Sequence, residues 1–281
     1  MHQNIILLVW LLLVAKSHTY TVKQIYQFSS CRFTDIENVA ARANGQLLLN
    51  LITEPSTYYI DPTKTHATAQ HLYTFPNGTS LTGIAEYAPD VFAVVVGNYN
   101  VAKKAGVPGS FAIWSLDMRS PAAPIVNKIA AIPGAHALNG MTAVKDSPGL
   151  LLIADSALGL VWSLNATSGS YQKAIQDPIL GPSGSFPLGI NGLHVHKNTL
   201  YFTNSAQGLF GKFVITDAGN AIGNATKITT PPTGNIYDDF ALDWQGNAWI
   251  TNHPNLVTEV TAGGEQIRSE EHTSELQSPP L

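Results

Sequence analysis

Five segments of the chain share one layout, and their spacing limits the fold more than any other feature. They are Glu37-NVAARANGQLLLN, Thr82-GIAEYAPDVFAVVVGN, Asn139-GMTAVKDSPGLLLIADS, Asn191-GLHVHKNTLYFTNS and Asp238-DFALDWQGNAWITNH. Each opens on a short apolar strand, turns through polar, Gly or Pro residues, and returns as a second β-rich strand. A third strand follows in STYYID, FAIWSL, LVWSL, LFGKFVI and LVTEV. The leading residues stand 45, 57, 52 and 47 positions apart. A period near 50 residues suits one four-stranded blade of a propeller. No long stretch carries the 3.6-residue period of a helix.

The fold class read from this pattern is all-β: a six-bladed β-propeller with five blades in residues 36–267 and the sixth truncated. Val22–Phe28 is an orphan strand before the first blade. A terminal strand of this kind often completes the last blade of a ring, and by the repeat spacing that blade starts beyond Leu281. Composition agrees. Charged residues make up 12% of the chain, against about 25% in an average soluble domain, which excludes coiled coils and disordered tails. The net charge of −4 leaves no basic footprint for nucleic acid. A single cysteine, Cys31, excludes a disulfide scaffold or zinc ribbon. It precedes the first blade, away from the axis, and is not expected to act as a nucleophile.

Both ends read as foreign to the propeller. The apolar run Ile5–Ala15 is 11 residues long, too short to span a bilayer, which takes about 20. It has the length of a signal-peptide core, and Ala15-Lys16-Ser17 supplies the cleavage spacing. Residues 1–17 are therefore expected to be a signal peptide. The rest is expected to be secreted or lumenal, with no membrane contact after cleavage. Three sequons, at Asn77, Asn165 and Asn224, agree with secretion. The last stretch, RSEEHTSELQSPPL, breaks the apolar pattern and reads like a translated sequencing adapter. Residues 268–281 are expected to be an artefactual tail packing against nothing, and 18–267 the incomplete propeller.

The phrases IENVAARANGQLLL, GINGLHVHKNTLYFTNSAQGLFG and DDFALDWQGNAWITNHPN resemble the senescence-marker-protein (regucalcin) and gluconolactonase family of six-bladed propellers. They are closer still to a fungal secreted branch that includes hetero-Diels–Alderases. For the lactonases, the resemblance implies one divalent cation at the top of the channel. Its ligands fall on Glu37, Asn139, Asn191 and Asp238, all blade-leading positions. Two carboxylates and two amides are hard oxygen donors that suit Ca2+; the alternative is that these residues cap strand starts and turns. The chain also departs from the lactonases. Their Arg-x-Asn-Asp stretch is His136-Ala-Leu-Asn139-Gly140 here. Glu37-Asn38 replaces Glu-Gly-Pro, and Asp238-Asp239-Phe240 replaces Asp-Gly-Met.

Three functions follow as expectations. The leading one is a cofactor-free hetero-Diels–Alderase-type cyclase joining a polyketide quinone methide to a terpene alkene. Such a reaction needs a dry, shaped cavity, alignment, and one hydrogen-bond donor to the heterodiene oxygen. Candidate residues on the loops of the pocket face are Asn98, His136, Asn204, Asn252 and His253. The alternatives are a Ca2+-dependent lactonase or esterase, and a ligand-binding propeller without catalysis. A small-molecule substrate and a monomeric protein are expected in the first two. His194 and His196 share one face of an inner strand and are expected to pack between blades rather than bind metal. Trp114, Trp162 and Trp249 are expected in the core. The long segment Asn98–Ser110, carrying Lys103 and Lys104, is expected to overhang the pocket face as a solvated loop or a lid.

Overall fold

The computed structural model describes residues 24–28, 35–120, 123–254 and 256–271. The expected signal peptide and Cys31 lie outside the described residues. The rest is all-β, with five four-stranded antiparallel sheets in chain order. The first blade is Ile36–Ala41, Leu47–Leu51, Ser56–Ile60 and Gln70–Thr74; the second is Ser80–Ala88, Val91–Gly97, Ala112–Asp117 and Ile125–Ala131. The third is Leu138–Ala143, Leu150–Asp155, Leu160–Asn165 and Tyr171–Gln176. The fourth is Ile190–His196, Thr199–Asn204, Leu209–Ile215 and Ala221–Thr229, and the fifth Ile236–Leu242, Ala248–His253, Leu256–Val260 and Gln266–Glu271. One 3-10 turn, Pro178–Leu180, joins blades three and four.

Alternation of apolar residues along the middle strands gives each sheet two buried faces, and four apolar wedges fill the spaces between neighbouring blades. Phe75, Phe92 and Leu48 pack between blades one and two, Met141, Ile153 and Ile113 between two and three. Leu152, Leu193 and Phe202 pack between three and four, Tyr237 and Phe210 between four and five. Each fully buried side chain of this size contributes about 1.5–3 kcal/mol. Trp162 is buried in its wedge and Trp114 packs against another, as expected.

Polar clips tie the blades together at one end. Thr82 Oγ1 donates to Leu138 O at 2.9 Å, Ser156 Oγ to Ile190 O at 2.5 Å, and Ser205 Oγ to Tyr237 O at 2.8 Å. Each clip reaches the residue just before the next blade's leading residue. At the opposite end, Arg42 of blade one holds Asp90 of blade two through two bonds of 2.8 and 2.6 Å. That hydrogen bonding keeps the Asp90 carboxyl below the usual carboxylate range. Its stabilisation is therefore present above the unfolded-state value and lost as pH falls through the depressed folded one. Asp90→Asn keeps a residue tolerant of the φ of 58° at this turn and should cost about 1 kcal/mol near pH 7. Urea midpoints at pH 7 and in acid measure it; a loss of equal size below the carboxylate range contradicts the pairing.

The tail expectation needs a correction. The backbone of residues 268–271 does pair, as part of Gln266–Glu271, with Leu256–Val260 in the fifth sheet. A sheet edge offers free N–H and C=O groups to any extended chain, so pairing there does not depend on side-chain character. Residues 272–281 lie outside the described residues. Of the orphan segment, Val22 lies outside them, and Gln24–Phe28 form no strand. Phe28 packs edge-to-face on Tyr58 at 5.2 Å. Tyr58 neighbours Tyr59, which joins the wedge toward blade two; alternation puts Tyr58 and the segment on the other face of blade one.

Candidate functional site

All five inner strands carry the same irregularity. Their registers slip between Ile36/Asn38, Leu81/Ile84, Leu138/Met141, Ile190/Leu193 and Tyr237/Phe240. Each slip is a bulge at the leading residue: Glu37, Thr82, Asn139, Asn191 and Asp238. A bulge re-aims its side chain out of the pleat, and the five positions meet at one end of the axis. Glycine follows the leading residue in blades two to four, where blades approach closely. A Cβ on Gly140 would sit 2.4 Å from Asn191 O, and one on Gly192 would sit 2.2 Å from Asp239 Oδ1. Blades one and five carry Asn38 and Asp239 at this position, and the two side chains meet: Asn38 Nδ2 donates to Asp239 Oδ2 at 2.7 Å.

The mouth is acidic. Asp238 accepts from Asn191 Nδ2 at 2.6 Å through Oδ1, and His253 Nε2 lies 2.9 Å from Oδ2. Hydrogen bonding to Asp238 raises the His253 pKa above its ordinary value. Burial, with Asp238, Asp35 and Asp239 nearby, pushes Glu37 well above the usual carboxylate range. Burial also raises Asp239 and Asp35. Glu37 therefore takes up a proton more readily than a free carboxylate does, and a protonated carboxyl donates a hydrogen bond. Tyr99 stands beside Glu37 and Asp238, and burial raises its phenol further.

Tyr99 belongs to the segment expected to overhang this face, which does so as a hairpin, Tyr99–Asn100 paired with Ala105–Gly106. Gly106 lies against His136 O, and Lys104 Nζ sits 4.8 Å from the centre of the Phe186 ring. The positive charge of Lys104 also acts on His253 of blade five. The hairpin thus reaches from blade two past blade three to the loop before blade four.

The sequence-derived residues divide. Glu37, Asn139, Asn191, Asp238 and His253 come together at the mouth. Asn139 makes no side-chain hydrogen bond among the described residues. Asn98 and His136 lie at the same end, His136 exposed and Asn98 half-buried. Asn204 and Asn252 stand apart from this group as buried strand-end clips. Asn204 Nδ2 donates to Ile179 O and Gly181 O, and its Oδ1 accepts from Gln207 N. Asn252 Nδ2 donates to Ile250 O and Thr258 Oγ1. Their donors are spent on the fold and cannot serve a ligand. Asp35 and Tyr99 were missed, and Asn38, Lys104 and Asp239 were noticed in the sequence but given no role in the site. His194 packs edge-to-face on Phe240 at 4.9 Å, the expected contact between blades. The three sequon asparagines Asn77, Asn165 and Asn224 are exposed.

A hard cation suits the charge and the oxygen donors of Glu37, Asp238, Asn139 and Asn191. Both oxygens of Asp238 are already bonded, however, so an ion competes there with Asn191 and His253. Among the described residues, no three His, Cys, Asp or Glu side chains are grouped so as to hold one ion.

No family model matches the chain. Over 237 residues it is 24% identical to a protein of Sarocladium schorii named "Putative hetero-Diels-Alderase asR5", covering 74% of this chain and 58% of that one. The chain therefore spans little more than half the length of the curated relative it matches. Among solved structures, a chain of a nidogen/laminin complex superposes with a TM-score of 0.63 at 13% identity, covering 84% of this chain and 80% of that one. Regucalcin, a calcium-binding protein of Agrobacterium tumefaciens, gives 0.57 at 15% identity, over 84% and 74%. A luciferin-regenerating enzyme gives 0.59 at 15%, over 84% and 76%. These likenesses establish the fold: an all-β propeller with five blades among the described residues, whose nidogen/laminin and regucalcin neighbours are six-bladed.

Proposed function

We propose that the protein is a secretory-pathway cyclase of the hetero-Diels–Alderase type, joining a quinone methide to an alkene without a cofactor. The observation that carries this reading is the placement of the Glu37 carboxyl at the channel mouth among Asp35, Asp238 and Asp239, where burial and those carboxylates raise its pKa. A neutral acid in a part-buried site donates a hydrogen bond to an oxygen on which negative charge develops. In a hetero-Diels–Alder reaction that oxygen belongs to the heterodiene, and drawing electron density onto it lowers the barrier to attack by the alkene. The two new bonds form together, so no nucleophile and no net proton transfer are needed. The hairpin carrying Tyr99 and Lys104 narrows the mouth and limits water, and Asn98 and His136 stand beside it to orient the reactants. Alignment of two reactants can itself supply about 7–11 kcal/mol. The similarity to the Sarocladium schorii protein supports the same class. The test is the rate of adduct formation from a quinone methide precursor and a terpene alkene. Enzyme should raise it above the spontaneous rate; no acceleration at any enzyme concentration contradicts the reading.

The acid-rich mouth also favours a second reading, a Ca2+-dependent lactonase. Glu37, Asn139, Asn191 and Asp238 would hold the ion, which when bound would polarise a lactone carbonyl as a Lewis acid. His253 would hold or accept a proton next to it.

A further inference from the structure

Beyond the bulges the channel holds a cavity that the chemistry of the mouth does not use. Just past the five bulges the inner strands line an open-sided space of about 930 Å³. All five blades contribute to it, and its walls are mainly apolar: Ala85, Ala143 and Val195 line it with Phe92 and Met141, and Val39, Ala41 and Ala241 stand exposed at its rim. Larger apolar side chains at these positions would close the space and bury more surface, yet the space is kept. Two imidazoles line it, His194 and His196. The first rests its ring on Phe240 and lies near enough to the Asp239 carboxylate to act on its charge, and neither makes a hydrogen bond to protein among the described residues. Of the charged side chains that line it, Glu86 and Lys145 are exposed, and Asp243 is half-buried with its carboxylate bonded to Asn247 and Trp249. The Asn38–Asp239 bond lies at the bulge level, between the acidic mouth and this cavity.

A volume of this size, apolar walls and a few convergent polar groups describe a small-molecule site. We propose that the lower channel binds a hydrocarbon-rich small molecule carrying one hydroxyl or carbonyl group, which His194 or His196 engages by a hydrogen bond. The apolar body fills the space between the alanines, and the single polar group meets the imidazoles, neither of which makes a hydrogen bond to protein among the described residues. The site lies on the far side of the bulges from the acidic mouth and does not depend on what the mouth catalyses.

Equilibrium dialysis of the full chain against 1-naphthol, with naphthalene as the hydrocarbon control, tests the proposal. The protein should bind 1-naphthol saturably, about tenfold or more tighter than naphthalene, because naphthalene leaves the imidazoles unpaired. Ala143→Trp, which fills the cavity from blade three, should weaken 1-naphthol binding by about tenfold or more. Ala241→Trp, filling it from blade five, serves if the first variant does not fold. Replacing both histidines by Phe should abolish the preference for the alcohol, and this readout stands if neither Trp variant folds. Glu37→Ala should leave binding unchanged. No saturable binding up to the solubility of 1-naphthol overturns the proposal. So does binding unchanged in a folded Trp variant, a preference retained without the histidines, or binding lost with Glu37→Ala, which would place the probe at the mouth.

Discussion

Glu37→Ala should slow adduct formation by about a hundredfold to a thousandfold, the cost of removing one donor aimed at a developing oxyanion. Glu37→Gln should retain most of the activity, because the amide N–H still donates and needs no protonation. The wild-type rate should also fall as pH rises through the elevated Glu37 value, since ionised Glu37 accepts hydrogen bonds and repels negative charge. The Gln variant should lack that fall. Single-turnover rates of the three proteins across pH provide the measurement, with circular dichroism to confirm folding. The lactonase reading gives the reverse order of effects: Glu37→Gln would remove an anionic ligand and with it nearly all turnover. Activity lost equally in both variants would contradict the hydrogen-bond role.

The largest effect on stability is expected at Asp155. This carboxylate is fully buried at the end of the second strand of blade three. It accepts from His136 N at 3.0 Å, Ala137 N at 3.1 Å, Leu158 N at 3.2 Å and Trp162 Nε1 at 3.2 Å. Asp155→Ala removes all four acceptor contacts and leaves buried donors unpaired. The cost should be about 3–5 kcal/mol, a large share of the 5–15 kcal/mol that holds a typical protein folded. Chemical denaturation should show the midpoint collapse or the variant fail to accumulate as soluble protein. A loss under 1 kcal/mol would mean that water reaches these donors.

The repeat made blade number, blade order and the axial position of the leading residues legible, because each blade repeats one strand–turn–strand sequence. The clustering of Glu37, Asn191 and Asp238 followed from that regularity. The local departures were visible too: Asn38 and Asp239 stand where other blades have glycine. Their contact was not, because it joins residues 201 positions apart and depends on how the first and fifth blades meet. Asn204 and Asn252 had suitable chemistry and repeat position. Which way a strand-end side chain points depends on the bulge opposite it, and a one-residue slip reverses the face. The length of the insertion at Asn98–Ser110 was legible, but its course over the mouth, which brings Tyr99 beside Glu37, is set by contacts with His136 and Phe186 from other blades. The pairing of residues 268–271 with the fifth sheet was not legible, because backbone pairing at a sheet edge is indifferent to composition.

The most direct test is the stereochemistry of the adduct formed from a quinone methide and a terpene alkene by the full-length protein, with simple lactones assayed in parallel with and without chelator. A chiral channel that aligns both reactants should give one enantiomer in large excess, unaffected by chelator, with no lactone turnover. Racemic adduct at the spontaneous rate, together with chelator-sensitive lactone hydrolysis, would contradict the cyclase reading and support the lactonase in its place.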